Sequence, residues 1–286
     1  MHLDRYRVRP GDGSALTRSD PADTHGFADR TDALKRLEAG LARLKDLQER
    51  LYASDRFAVL LILQGMDTAG KDSAITHVLS GLNPQGTDVR AFKPPSVDEL
   101  AHDFLWRAVA SLPARGRIGI FNRSYYEDVV TVRVRPSLLA DRHLPIDRPG
   151  PQLWQERFED IRAFERHLER NGTVVRKVFL HISRATQRKR LLKRLDDPAK
   201  RWKFSPADLA DRGRWPRYQR AYAEALGATS RRPAPWFVVP ADHKWFAHLV
   251  VAEILIEALG ALDLSLPRMT AGRRRDLAAA RRALKG

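Results

Sequence analysis

Residues 60–75 read LLILQGMDTAGKDSAI. Gly65, Gly70 and Lys71 have the Gly-x4-Gly-Lys spacing of a phosphate-cradling loop. In such a loop backbone N–H groups and a helix N-terminus face the anion, and the lysine adds a point charge. Met66, Thr68 and Ala69 inside the loop, with Asp72 and Ser73 just beyond it, complete the candidate phosphate- and nucleotide-binding segment. Asp72 stands where these loops normally carry Ser or Thr, and Asp67 adds a second carboxylate. A carboxylate about 5 Å from a phosphate charge costs about 3 kcal/mol at an effective dielectric near 20, so two would expel the ligand unless a cation lay between. A hard divalent ion such as Mg²⁺ takes carboxylate and phosphate oxygens together. Asp67 is therefore predicted to be a magnesium ligand, and Asp72 either a second one or the cap of the following helix.

A second group lies in IFNRSYYEDVVTVRV, residues 120–134. Asn122 occupies the end of a predicted strand, where nucleotide kinases usually keep a metal-organising aspartate, and Arg123 is placed to reach phosphate from the same sheet edge. Tyr126 joins the candidate binding set, with Glu127 and Asp128 as further carboxylates for metal or water and Arg133 and Arg135 as further cations; packing of the Arg-Ser-Tyr-Tyr run is the structural alternative. Lys93, in AFKPPS, ends another strand and is a candidate phosphate contact. Arg190 and Arg194 fall in a basic helix and Lys203 follows it, as expected where a lid brings arginines to a transferring phosphoryl group. The nine histidines show no zinc-type pairing, no Gly-x-Ser-x-Gly elbow occurs, and there is no cysteine, which argues against zinc hydrolase, serine esterase and thiol chemistry.

The elements needed to position these groups are legible as alternating strands and helices. Apolar runs at 57–64, 87–92, 117–122, 174–182 and 235–241 predict five strands. Several lack period-two alternation, as strands of a parallel sheet covered on both faces do. The predicted fold is α/β, a doubly wound five-stranded parallel sheet flanked by helices, with ligands beyond the strand carboxyl ends. Leu34, Leu37, Leu41, Leu44, Leu47 and Leu51 share one helix face. A helix over about 70–82 follows the loop, Ser96 with Glu99 predicts a capping box for a helix through Leu112, and Asp242 is the expected cap of a last helix to about Leu262. Residues 1–30, rich in Gly, Pro, Asp and Thr, read as an extended arm draped on the surface. Residues 31–264 form the main domain, with a helical lid over about 184–214, and 265–286 a basic C-terminal tail.

The net charge of +16 on 286 residues is localised: residues 184–220 carry +9 and residues 268–286 carry +6. The rest is nearly neutral, so the basicity points to a polyanionic partner at two places. No apolar run approaches the roughly 18 residues of a membrane span and no secretory signal pattern is visible, so a cytoplasmic protein without membrane contact is expected.

LQGMDTAGKDSAI, NPQGTDVRAFKPPS, HDFLWR, GRIGIFNRSYYEDV and RLLKRLDDPAKRWKFSPADL occur in this order from about residue 30 to residue 262, and together they closely resemble the polyphosphate kinase 2 family. The resemblance implies a P-loop kinase fold with a helical lid, homodimeric or homotetrameric assembly, and magnesium-dependent transfer of the terminal phosphoryl of inorganic polyphosphate to a nucleotide. By position, Asp67 would hold magnesium, Lys71 and Arg123 would grip phosphates, and the lid arginine would be Arg190 or Arg194. Asn122 departs from the Asp-Arg-Ser found in many members, and FNRSYYE resembles a subgroup accepting both AMP and ADP, with GDP a further acceptor. An ATP-dependent nucleoside monophosphate kinase is the competing enzyme reading. A nucleic-acid-binding protein is the non-enzymatic one; no nucleic-acid partner is expected, because such a role gives no reason for Asp67 inside the loop.

Overall fold

In the computed structural model, which describes residues 1–27, 29–142, 144–145, 150–266 and 269–285, the apolar runs become five strands of one parallel sheet. They are β1 (Ala58–Gln64), β2 (Thr87–Ala91), β3 (Ile118–Asn122), β4 (Thr173–His181) and β5 (Trp236–Pro240). Every residue of β1 and of β5 is buried, the state that continuous Val, Ile and Leu runs require. The strand order is β2-β3-β1-β4-β5, and central Leu61 lies opposite Ile120 on β3 and Arg176 on β4. Because β2 and β3 flank β1 on one side and β4 and β5 on the other, the crevice beyond the carboxyl end of β1 is a topological switch point, where α/β sheets place ligands.

The leucine-striped helix runs over Arg30–Ser54, capped by the Asp29 side chain, and packs along the apolar helix Lys244–Gly260. Leu37, Leu44 and Leu51 of the striped helix are buried, whereas Leu34 is exposed. Helix Pro151–Arg170 packs on β4 and against helix Trp215–Thr229. Between them Lys177 of β4 is fully enclosed, paired with Glu165 and donating to Thr229 O at 2.9 Å. Tyr125 Oη and Tyr126 Oη donate to Glu165 Oε1 at 2.9 and 2.8 Å. A buried charge is tolerated only when paired and hydrogen-bonded in this way.

Three local expectations are corrected. The capping box at Ser96 and Glu99 is present, but its helix is the single turn Val97–Leu100; Asp103 Oδ1 accepts Leu105 N–H at 2.9 Å and starts a separate turn, Trp106–Val109. A short polar side chain bonding its own backbone competes with helix continuation. Asp242 does not cap the last long helix, whose N-cap is His243; Asp242 Oδ1 instead accepts Ser183 N–H at 2.8 Å. The segment 1–30 is not simply draped: Leu3, Tyr6, Val8 and Leu16 are buried. Val8 N–H donates to Trp236 O at 2.8 Å and Val238 N–H to Tyr6 O at 2.7 Å, so the segment covers the free edge of β5, which an open sheet must protect.

Candidate active site

The loop after β1 is held by two glycine positions. At Gly65 (φ +152°) an added Cβ would lie 2.8 Å from Leu180 O and 3.0 Å from the Ala69 Cβ, so only a glycine lets the loop lie against β4. Gly70 (φ +108°) is the N-cap of helix Lys71–Val78. Thr68 and Arg123 also sit in the left-handed region, at φ 65° and 62°. Such backbone costs of order 1–3 kcal/mol at a non-glycine residue and clusters at functional sites. Lys71 is 8% exposed and donates from Nζ to Gly65 O at 2.8 Å and Met66 O at 3.4 Å. Burial, with the Arg123 charge nearby, lowers its pKa to about 8 despite Asp67 and Glu127.

Asn122 and Arg123, at the end of β3, connect this loop to the sheet edge. The Arg123 guanidinium pairs with Asp67 and with Glu127 (3.2 Å to Oε2), and Thr131 Oγ1 donates to Glu127 Oε2 at 2.6 Å. The charges of Glu127 and Asp67 overcome burial and raise the Arg123 pKa, so it stays a fixed cation. Asn122 Nδ2 donates to Asp72 Oδ1 at 2.8 Å, and Lys203 Nζ lies 3.6 Å from Asp72 Oδ2. Burial would raise the Asp72 carboxyl, but the Asn122 hydrogen bond and the Lys203 and Lys71 charges hold it below the usual range. An asparagine at the strand end thus orients a carboxylate in the first turn of the helix that follows the loop.

The basic insertion contributes from helix Arg184–Asp196 and helix Pro206–Gly213. The two arginines that spacing left equivalent are distinct in space. Arg190 donates to four backbone carbonyls, those of Thr68 (3.0 Å), Ala69 (3.1 Å), Ala241 (2.7 Å) and Asp242 (3.0 Å), clamping the loop to the end of β5. Arg194 donates to Asp208 Oδ2 at 3.0 Å and Lys203 O at 3.2 Å. Behind the loop helix, Ser73 Oγ lies 3.1 Å from His248 Nε2, and the His248 ring stacks on His77 at 4.2 Å. Burial, then the charges of His77, Lys244 and Arg190, lowers the His248 pKa to about 4.

Asp67, Thr68, Ala69, Gly70, Lys71, Asp72, Ser73, Lys93, Asn122, Arg123, Glu127, Arg190, Arg194 and Lys203 all line one cavity of about 1040 Å³. Gly65 and Met66 stand behind its wall, offering carbonyls to Lys71. Two predicted residues are not brought there. Tyr126 is fully buried in the Lys177–Glu165 network, because the 3-10 turn Tyr125–Asp128 aims its ring inward. Arg133 pairs with Glu224 at 2.8 Å and lies over the Trp154 ring, whereas Arg135, two residues on, faces the cavity and pairs with Asp211. Arg107, Arg142, Asp208, Asp211 and Lys244 also line the cavity and were not singled out from sequence. Of these, Arg107 closes the HDFLWR motif and Asp208 lies in RLLKRLDDPAKRWKFSPADL, whereas Arg142, Asp211 and Lys244 fall outside the quoted motifs. A second hollow of about 600 Å³, lined by Arg5, Arg7, Arg9 and Arg18, contains none of the loop residues.

A family model described as Polyphosphate kinase 2 matches residues 28–265. A Rhodopseudomonas palustris protein named ADP-polyphosphate phosphotransferase is 52% identical over 242 residues, 84% of each chain. An AMP/ADP-polyphosphate phosphotransferase from Meiothermus ruber is 45% identical over 267 residues, 93% of this chain and 96% of that one. The crystal structure of Polyphosphate Kinase 2 from Arthrobacter aurescens matches with a TM-score of 0.86 at 41% identity, covering 96% of this chain and 95% of that one.

Proposed function

The chain belongs to the polyphosphate kinase 2 family, and from that premise we propose how its cavity works and which acceptors it takes. It is a polyphosphate:nucleotide phosphotransferase. An oxygen of the acceptor's terminal phosphate forms the new P–O bond to the end phosphorus of the chain. The bridging P–O bond to the next phosphate breaks, and polyphosphate leaves one unit shorter, in a step that runs in both directions. AMP and ADP are the acceptors, with GDP as a further one. The observation that carries this reading is Lys71, a buried ammonium at a helix start whose hydrogen bonds go only to carbonyls, beside cations from three separate elements in one cavity.

Positioning and charge neutralisation are what phosphoryl transfer demands. In this reading Lys71 and Arg123 hold oxygens of the transferred group, Arg194 reaches it from the insertion acting as a lid over about 184–214, and Arg190 fixes the loop. Asp67 and Asp72 would hold Mg²⁺. Among the described residues no three His, Asp or Glu side chains converge as a preformed metal cluster. Two oxygen-only carboxylates nevertheless suit a hard ion that takes its other ligands from phosphate and water. Bound there, the ion would neutralise charge on the phosphates. Asp67→Asn is expected to abolish turnover while the protein still folds; an active variant with unchanged magnesium dependence would exclude the assignment.

The decisive measurement is ATP formation from AMP or ADP with polyphosphate and magnesium as the only other reagents. An initial-rate comparison of AMP, ADP, GMP and GDP then ranks the acceptors. No product from polyphosphate, together with phosphorylation of AMP by ATP, would replace this reading with a nucleoside monophosphate kinase. The protein acts in the cytoplasm as a homodimer or homotetramer, checked by light scattering on the purified chain.

A further inference from the structure

We infer that residues 269–285 form a second hold on the polyphosphate chain, separate from the cavity in which its end reacts. The inference rests on the polyphosphate reading above and extends it to the chemistry of one segment. Residues 268–286 carry seven Lys and Arg against one acid. They lie beyond the residues 28–265 matched by the family model, so the shared domain does not require them.

The segment is built as a helix, Ala271–Ala283, whose Thr270 side chain accepts Arg273 N–H at 3.2 Å. No residue of it is buried, and among the described residues no ion pair engages its arginines. Arg274 and Arg281, like Arg275 and Arg282, are seven residues apart, two helical turns or about 10 Å along the axis. The four guanidinium groups therefore share one side of the helix, while Leu277 and Leu284 share another. A row of guanidinium groups with no carboxylate on that side has mutual repulsion and no internal compensation. It is complementary to a linear phosphate polymer, whose oxygens take paired N–H donors from arginine.

The occupant follows from the substrate. Polyphosphate carries about one charge per phosphate and no base to read, and a cavity of about 1040 Å³ encloses only a short stretch of it beside a nucleotide. The remaining chain must run outside. A second contact on the same polymer makes the reacting end's encounter intramolecular and raises its effective concentration. Of the net +16, the insertion and this segment hold +15, which gives the polymer two basic grips on one protein.

The test compares three proteins: the full chain, a chain ending after residue 264, and the full-length R274Q/R275Q/R281Q/R282Q variant. Each is assayed at saturating ADP with a short oligophosphate and with long-chain polyphosphate, at low and high salt. Both altered proteins are expected to raise KM for the long chain about tenfold while kcat and the short-chain KM stay unchanged. The long-chain advantage of the full chain should shrink as salt rises. Equal long-chain KM in all three proteins overturns the inference alone. Failure of the full chain to use either polyphosphate overturns the functional reading, and this one with it. Loss of binding to an RNA oligomer in the variant, with long-chain KM unmoved, also overturns it and assigns the helix to nucleic acid.

Discussion

Two lysines of this protein are taken out of water, and their partners differ. Lys177 is fully enclosed with Glu165 as counter-ion, and Thr229 O and two tyrosines complete the network. Lys71, nearly as buried, donates only to the carbonyls of Gly65 and Met66. Burial lowers the pKa of both, but only Lys177 has a carboxylate in direct contact to offset that cost. An enclosed cation with a complete set of partners is architecture. One left with carbonyls at the mouth of a cavity retains its attraction for an incoming anion.

The sharpest way to break this comparison is to remove each ammonium. Lys71→Met is expected to lower kcat/KM about a thousandfold with the urea midpoint unchanged or raised, since a desolvated cation is lost. Lys177→Met should do the reverse, destabilising the fold by about 3–5 kcal/mol because Glu165 is left unpaired, with KM unaltered. Adding Glu165→Gln, which keeps an acceptor for both tyrosines, should recover much of that loss; a Lys177→Met protein of normal stability would refute the assignment.

A third buried cation-capable group, His248, sharpens the contrast through pH. Its pKa is about 4 in the folded protein against about 6.5 unfolded, so between these values the unfolded chain binds more protons. The associated stability is present above pH 6.5 and lost as pH falls toward 4, by up to about 3 kcal/mol. Urea titrations of wild type and His248→Gln should converge as pH drops; parallel curves would show that the ring does not titrate this way. The smallest effect is expected at the cavity wall. Asn122→Ala frees Asp72 and should reduce kcat/KM about tenfold, with the loss showing as a higher magnesium concentration needed for half-maximal rate.

The strands were readable because unbroken runs such as AVLLILQ have one low-energy destination, the inside of a parallel sheet. The loop was readable because its glycine spacing is a backbone requirement. Side-chain direction in short turns was not. Arg133 and Arg135 are alike in sequence, yet the turn Thr131–Val134 sends one to Glu224 and the other to the cavity. Tyr126 is next but two to Arg123 and points the other way, since its partners Glu165 and Lys177 are remote in sequence. Asp208 and Asp211 read as diluting a basic stretch, and only folding shows that each meets an arginine of the cavity.

The covering of β5 by residues 3–8 sets an order on biosynthesis. Arg7 Nη2 bonds Glu257 Oε1 across 250 positions of the chain, and Tyr6 and Val8 bond the backbone of β5. While the ribosome is still making the sheet these early residues have nothing to dock on. Their apolar side chains remain in water until the segment containing Trp236–Pro240 has emerged, and closure of so long a loop comes late in folding. A piece synthesised before the sheet is therefore among the last to settle, and its seating reports that the sheet behind it is complete.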